Sequence, residues 1–339
     1  MILKLVLLSP FVAANTGNFL TAERIKNGLI KSSIDAFHIP LKIKLETFNN
    51  EIKLLKNFKP DVLHFFNGVK CSKVFEWCYE NLKLPLVVTV TGTDAFSNNE
   101  EEKKVFSRIL KFSRAVTVFH QVIKKRLINV YNISEGKIFV VPQSISPELI
   151  KVKSVITEEK FPLFFLPAGI RGVKDIIYSL KPLSLLQKEV KNLKLILAGH
   201  VIEKEYFTKL RDELKKYDFA EYLGDIQHIE IPKLYKKCWV VLNTSVSEGG
   251  MPNTLIEGMF YKKPILARAI EGNTTIIKDG FNGFTFKSED ELVKKARLLI
   301  NSKSLRDKMG HNGYTMLLKE FSFEREINGY RDIYKKCLA

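Results

Sequence analysis

The segment that decides the fold begins with Trp239-Val-Val-Leu-Asn-Thr-Ser-Val-Ser-Glu248-Gly249-Gly250-Met251-Pro252 and continues to a second carboxylate at Glu257. Its first four residues, 239–242, are apolar and rich in Val and Leu, which predicts a buried strand. Small polar residues and two glycines follow, and Pro252 stands where the first residue of a helix tolerates proline. The segment therefore predicts a strand, a turn and a helix whose first backbone amides face the end of the strand.

The predicted turn suits an anionic ligand. A helix start offers unpaired amides and partial positive charge, and Gly249 and Gly250 have no Cβ atom to keep a ligand from the backbone. Glu248 before the turn and Glu257 on the helix add two carboxylates, which accept hydrogen bonds from hydroxyl groups. A ligand with phosphate between two polyol ends, such as a nucleotide-diphosphate sugar, satisfies the whole set.

The composition predicts a globular protein with two domains. The 339 residues are 45% hydrophobic and 27% charged, which allows two cores of ordinary size. No apolar run is long enough to span a membrane, and the apolar N-terminus lacks the cleavage pattern of a signal peptide. The four cysteines show neither zinc-site spacing nor the density of a disulfide scaffold, so we expect a cytoplasmic protein.

The formal charge of +17 is spread over both halves of the chain. Nucleic-acid-binding proteins usually concentrate basic and aromatic residues on one face, and this pattern is absent, so we expect no nucleic-acid partner. The charge indicates either a Lys-rich solvated surface or attraction to anionic substrates or an anionic membrane. Lys124, Lys125 and Arg126, on a predicted amphipathic helix, are candidates for a peripheral membrane contact.

The first half repeats a strand followed by a helix, which is typical of a parallel sheet. The predicted strands cover 3–8, 61–66, 86–90, 115–119 and 138–142. Ligands bind beyond the carboxyl ends of such strands, so Thr91 and Asp94 are expected at that edge. Asp94 either orients an acceptor hydroxyl or caps the next helix. His120, also at a strand end, is either an ordinary polar loop residue or a part of the acceptor side.

A charged stretch at 144–160 predicts a linker, which gives an N-terminal domain at 1–148 and a C-terminal domain at 161–320. The second domain opens with a strand that ends in Gly169-Ile-Arg171-Gly-Val-Lys174. Arg171 can bind phosphate oxygens through its planar guanidinium, and Lys174 can act beside it as a point charge. Both cations would stabilise the negative charge of a bound diphosphate. No Asp-x-Asp motif occurs, so we expect a metal-independent site.

In their order these motifs resemble the donor-binding segment of the family 4 glycosyltransferases. The resemblance rests on Ser-x-x-Glu-Gly, Pro, a second Glu, Lys-Pro-Ile-Leu-Ala, Gly-Asn and Asp-Gly-x-Asn-Gly. It implies an α/β protein of GT-B type, with two Rossmann-like parallel-sheet domains facing a cleft and a C-terminal helix, about 321–339, crossing back to the first domain. It also implies a hexosyltransferase that moves a sugar, with retention, from a nucleotide-diphospho donor such as a UDP-sugar to an unidentified acceptor. The nucleotide sugar is then a co-substrate, and no further cofactor is implied.

The resemblance also implies roles for individual residues. In the family the first carboxylate, here Glu248, contacts the donor sugar, and the second, here Glu257, contacts the ribose. The remaining implied donor contacts are Gly17, Asn18, Arg171, Lys174, Gly249, Gly250, Met251, Pro252 and Asn253. Arg171, Lys174, Glu248 and Asp94 are the candidate catalytic residues.

The chain departs from the family pattern at two places. Eight residues separate Glu248 from Glu257 where the family usually has seven, so either the turn is longer or Gly249 takes the first-carboxylate position. Thr91 stands where the family often has a His that touches the donor sugar.

Two narrower groups share the Thr-Gly-Asn, Gly-Thr-Asp and Val-Lys-Asp motifs. They are the glycosyltransferase 1 domain-containing proteins, whose acceptor is undefined, and the selenosugar synthases, which couple a nucleotide sugar to selenophosphate. A small anionic acceptor would suit the basic surface. A nucleotide-sugar epimerase and a non-catalytic nucleotide-sugar-binding protein stay open as alternatives.

Overall fold

A computed structural model describes residues 2–11, 17–42, 48–92, 94–145, 157–227, 230–248 and 250–339 of the chain. The chain forms two compact units, of which unit 1 comprises Met1–Gln143 and Ser322–Ala339 and unit 2 comprises Ser144–Phe321. None of the helices in these ranges combines the length and the apolar character needed to cross a bilayer. Gly249 lies outside the described residues.

Unit 1 contains a parallel sheet whose described strands follow the order β2-β1-β3-β4-β5-β6. The strands are β1 Lys4–Phe11, β2 Asp35–Lys42, β3 Val62–Phe66, β4 Leu86–Val90, β5 Ala115–Val118 and β6 Ile138–Val140. The helices are α1 Gly17–Lys31, α2 Phe48–Phe58, α3 Ser72–Leu82, α4 Glu100–Phe112, α5 Gln121–Tyr131 and the last helix, Phe323–Leu338. Residues of β1 alternate between two cores, with Leu5 and Leu7 in one and Val6 and Leu8 in the other. Helices therefore cover both faces of the sheet, as parallel sheets require.

The last helix completes the core of unit 1 rather than that of unit 2. Its Glu326 forms a bidentate ion pair with Arg24 of α1, at 2.8 and 2.9 Å, and both side chains are almost fully buried. A Cβ atom on Gly28 of α1 would lie 2.3 Å from Ile327 Cδ1, so the two helices pack closely at this glycine. The predicted return of the C-terminal helix to the first domain is confirmed.

Unit 2 contains a second parallel sheet, whose described strands follow the order β12-β11-β10-β7-β8-β9. The strands are β7 Leu163–Pro167, β8 Lys194–Ala198, β9 Ala220–Tyr222, β10 Val240–Asn243, β11 Ile265–Arg268 and β12 Gly283–Phe286. The helices are α6 Leu180–Glu189, α7 Lys204–Leu214, α8 Ile231–Lys237, α9 Asn253–Phe260, α10 Glu271–Thr274, α11 Glu289–Asn301 and α12 Lys303–Glu320. The helix of unit 1 at Phe323–Leu338 is accordingly α13. The two parallel sheets confirm the predicted α/β fold class.

Candidate functional site

In unit 2 the strand order reverses between β7 and β10. From β7 the chain builds outward to β9 on one side, then returns to add β10, β11 and β12 on the other. In an open parallel sheet, ligands bind outside the carboxyl ends of the strands at the point where the order reverses. The predicted cations follow β7 and the predicted carboxylate Glu248 follows β10, so the candidate residues lie at that point.

Lys174 and Glu248 are in direct contact there. The Lys174 ammonium donates to Glu248 Oε1, and their side chains are 16% and 12% exposed. Ser245 Oγ donates to the same oxygen at 2.6 Å. Burial raises the pKa of Glu248, but the charge and hydrogen bond of Lys174, the Ser245 hydroxyl and the charge of Arg171 lower this pKa below its usual value. Glu248 is therefore ionised at neutral pH.

Two hydrogen bonds connect the loops after β7 and β10, which carry Lys174 and Glu248. Thr244 Oγ1 donates to the carbonyl of Lys174 at 2.9 Å, and the Val246 amide donates to the carbonyl of Val173 at 3.0 Å. Because both bonds involve backbone atoms next to the functional side chains, they fix the positions from which Lys174 and Glu248 meet.

Arg171 completes the cationic side of the site. Its Nε atom is buried and has no hydrogen-bond partner among the residues that the structure describes. A buried donor without a partner is costly, so an incoming acceptor stabilises it. Together with Lys174, Arg171 offers an anion two positive charges beside the carboxylate of Glu248.

Glu257 is held by an aromatic pair. Its Oε2 atom lies 2.8 Å from the hydroxyl of Tyr235, which also lies 3.1 Å from the carbonyl of Thr254. The Tyr235 ring stacks on Tyr261 with 5.4 Å between centroids. Burial, followed by the charge of Glu257, raises the pKa of Tyr235 well above its usual value, so the phenol keeps its proton and donates. Sequence analysis did not identify Tyr235, because its partner lies on a different helix.

The start of α9 differs by one residue from the prediction. Asn253 is the first helical residue, and Pro252 precedes it in extended conformation, with φ −68° and ψ 120°. Met251 is 4% exposed, so it contributes packing to the turn. Asn253 Oδ1 is buried without a hydrogen-bond partner in the described part of the chain, beside the first amides of the helix. The helix start therefore offers donors and an unsatisfied acceptor together.

In unit 1, Thr91 and Asp94 belong to one loop after β4. Asp94 is 2% exposed and accepts hydrogen bonds from the amides of Gly92, at 2.8 Å, and Thr91, at 3.4 Å. Burial raises the pKa of Asp94 to about 6, against the lowering effect of these bonds. The alternative that Asp94 caps α4 is wrong, because Asn99 Oδ1 accepts the amides at the start of that helix. A further residue that sequence analysis missed, Asn67, donates to Thr91 Oγ1 at 3.1 Å.

His120 lies directly before α5 and is 7% exposed. Both ring nitrogens are buried and lack a hydrogen-bond partner within the described ranges. Burial lowers the pKa of His120 to about 4, so the imidazole is neutral near pH 7. Gly17 and Asn18 are the first two residues of α1.

The predicted membrane-facing cations of α5 are largely engaged within unit 1. Arg126 Nε donates to the carbonyl of Ala95 at 2.8 Å, and its guanidinium lies 4.5 Å from the centroid of the Phe96 ring. Lys124 pairs with Glu135 at 3.1 Å. These contacts engage two of the three cations within unit 1, whereas Lys125 is exposed, and the membrane contact stays a prediction. Among the described residues, no cluster of three His, Cys, Asp or Glu side chains could hold a metal ion.

The sequence and the fold are similar to those of known proteins. A family model described as Glycosyl transferases group 1 matches residues 147–316, which is half of the chain. The Glycosyltransferase 1 domain-containing protein 1 of Xenopus tropicalis is 24% identical over 353 residues, covering 97% of this chain and 96% of that protein.

Two solved structures show the same fold. A glycosyltransferase from Rickettsia africae ESF-5 covers 99% of both chains, with a TM-score of 0.73 and 19% identity. Anabaena HepE, solved in complex with UDP and glucose, covers 98% of this chain and 99% of its own, with a TM-score of 0.80 and 16% identity. The whole described architecture is therefore shared with these proteins.

Proposed function

Because this chain is a glycosyltransferase of the Glycosyl transferases group 1 family, we propose that it uses a nucleotide-diphospho-sugar as the donor and transfers the sugar with retention of configuration. The observation that carries the proposal is the contact of Lys174 with Glu248 beside Arg171 at the reversal point of the sheet. Two cations match a diphosphate, and the ionised carboxylate of Glu248 can accept hydrogen bonds from sugar hydroxyls. We propose a UDP-sugar, since HepE was solved in complex with UDP and glucose.

The proposed reaction needs no carboxylate nucleophile. The bond between the anomeric carbon and the β-phosphate oxygen breaks, the acceptor oxygen bonds to that carbon from the same face, and the acceptor proton passes to the leaving diphosphate. Arg171 and Lys174 stabilise the negative charge that develops on the diphosphate. Replacing either one with Ala is expected to raise the barrier by about 2–4 kcal/mol. Glu248 orients the sugar and Glu257 the ribose.

A thermal-shift panel tests the donor. The purified chain is heated with UDP-, GDP- and ADP-sugars and with the free diphosphates, each with and without a divalent metal. A ligand at about a hundredfold excess over its Kd stabilises the folded state by about 2.7 kcal/mol. We expect one nucleotide sugar to raise the melting temperature selectively, and Glu257→Ala to abolish that shift. If no nucleotide sugar shifts the melting temperature of the wild type, the proposal fails.

An acceptor screen follows with the selected donor. Product mass distinguishes transfer to a polyol from transfer to a small anion such as selenophosphate, which remains an alternative on the ground of the basic composition. We propose that Thr91 and His120 lie on the acceptor side and that Asp94 holds the loop of Thr91 through the amides of Thr91 and Gly92. Binding of the donor without its consumption in any acceptor mixture would favour a nucleotide-sugar-binding protein without transferase activity.

A further inference from the structure

We propose that the segment 268–273, which runs from the last residue of β11 into α10, is a brace that sets the positions of Lys174 and Glu248. Asn273 acts within it as a positioning residue for the Glu248 carboxylate. The inference rests on the proposed function and deepens it, because Asn273 within the brace would decide how the sugar, rather than the nucleotide, is held.

Asn273 fixes the orientation of a second amide, that of Asn243 at the end of β10. Asn273 is fully buried, and its Nδ2 atom donates to Asn243 Oδ1 at 3.1 Å and to the carbonyl of Arg268 at 3.0 Å. Both of its amide protons are therefore used on acceptors. A flipped Asn273 would turn its oxygen toward two other oxygens, so only one orientation is stable.

The orientation of the Asn243 amide then decides whether its nitrogen or its oxygen faces the Glu248 carboxylate. Asn243 Oδ1 accepts from Asn273 and from the Ser245 amide, at 3.1 and 3.0 Å, which turns its Nδ2 atom toward Glu248 Oε1 at 3.5 Å. The same Ser245 donates its hydroxyl to that carboxylate oxygen. Without Asn273, the Asn243 amide could rotate and present an oxygen to the carboxylate, which would repel it.

Gly272 supports the backbone of the same loop. A Cβ atom at this position would lie 2.3 Å from the Glu248 carbonyl oxygen, 2.7 Å from Glu248 Cβ and 2.8 Å from the Gly250 carbonyl oxygen. The loop therefore rests directly on the backbone of Gly272, and any side chain would displace it.

Arg268 holds the other partner of the pair. Its Nη1 atom pairs with Asp175 Oδ2 at 2.8 Å, and its guanidinium lies 4.0 Å from the centroid of the Tyr178 ring. Asp175 follows Lys174 directly and has φ 42°, so its ion pair fixes the turn that presents Lys174. One segment thus braces both loops of the site.

The test separates binding of the sugar from binding of the nucleotide. Affinities for UDP-glucose and UDP are measured by calorimetry in the wild type, Asn273→Ala and Asn243→Ala. We expect each variant to bind UDP-glucose at least tenfold more weakly and UDP within about twofold of the wild type, because Glu248 is assigned to the sugar alone. Arg268→Met should instead weaken both ligands equally, because it loosens the Lys174 turn.

Asn282→Ala is the matched control. Asn282 is a fully buried amide of the same unit, and it donates to the Ile276 carbonyl at 3.1 Å, away from Glu248. We expect it to lower the melting temperature without changing the ratio of the two affinities. An unchanged ratio in both Asn273→Ala and Asn243→Ala, or the same change in Asn282→Ala, overturns the brace while leaving the proposed function in place. A wild type that binds neither UDP-glucose nor any other nucleotide sugar overturns the proposed function and the brace with it.

Discussion

Replacing Lys174 with Met would remove the cation from the ion pair between the β7 and β10 loops. Met approximates the length of the Lys side chain, so Glu248 stays buried and loses its ion-pair partner, while the Ser245 hydroxyl still donates to it. The side chains are 16% and 12% exposed, which lies between a surface pair, worth about 0–1 kcal/mol, and a buried pair, whose disruption costs about 3–5 kcal/mol. We expect the free energy of unfolding of unit 2 to fall by about 2 kcal/mol near neutral pH.

This loss depends on pH in a defined direction. In the wild type, burial raises the pKa of Glu248, but the combined effect of its partners is larger and lowers it. The pKa of Glu248 in the folded state is therefore below that in the unfolded state. The ionised form then stabilises the fold above the unfolded pKa, and this stability is lost as the pH falls through the folded pKa. Without Lys174, burial is expected to dominate and raise the folded pKa, so the variant loses stability as the pH rises. The difference between the two proteins should grow from acid to neutral pH.

Scanning calorimetry of the wild type, Lys174→Met, Glu248→Gln and the double variant closes a mutant cycle. We expect a coupling free energy of about 1–3 kcal/mol near neutral pH and a smaller one at about pH 4. A coupling below about 0.3 kcal/mol near neutral pH, or equal coupling at the two pH values, would refute the account of the pair.

Three further predictions concern other parts of the chain. Tyr235→Phe should weaken nucleotide binding several-fold in calorimetry, because Glu257 loses the hydroxyl at 2.8 Å that orients it. Gly310→Ala in α12 should lower the free energy of unfolding by about 1–3 kcal/mol in denaturant titration, because its Cβ would lie 1.9 Å from the Lys262 carbonyl oxygen. Burial raises the pKa of Asp94 to about 6, so the free energy of unfolding of the wild type should fall by up to about 3 kcal/mol as the pH rises from about 4 to 6. Asp94→Asn has no titrating group at this position and should not show this decrease.

Each of these predictions has a control variant or an outcome that would contradict it. Gly136→Ala, where a Cβ would meet no atom within 4 Å, should leave the free energy of unfolding nearly unchanged. Wild-type binding in Tyr235→Phe would show that the hydroxyl does not orient Glu257. A pH profile of Asp94→Asn that parallels the wild type would place the titrating group elsewhere.

Local sequence patterns were enough to predict the elements around the site. The apolar run at 239–242 and Pro252 predicted β10 and α9 with an error of one residue, because each signal is contained in a few neighbouring residues. The chemistry of the side chains also grouped Lys174 with Glu248. Their direct contact could not be predicted locally, since it requires β7 and β10 to be neighbours, and strand order is a property of the whole sheet.

Contacts between side chains that are distant in the sequence could not be predicted from it. Tyr235 precedes Glu257 by 22 residues, and Asn243 precedes Asn273 by 30, with no periodicity that connects them. Of the two roles considered for Asp94, the helix cap was wrong for a local reason, because Asn99 lies directly before α4 and its oxygen accepts from two amides. A capping residue can be predicted only when the first residue of the helix is known without error.

The position of α13 in unit 1 has a consequence for the order of synthesis. Unit 1 is made of the residues 1–143 and 322–339, so a ribosome delivers the whole of unit 2 before the second piece of unit 1 emerges. Until then, Arg24 lacks its ion-pair partner Glu326, and the apolar surface that α13 covers is exposed to water. The first unit of the nascent chain therefore stays incomplete through more than half of translation, an interval in which exposed apolar surface generally favours aggregation and chaperone binding.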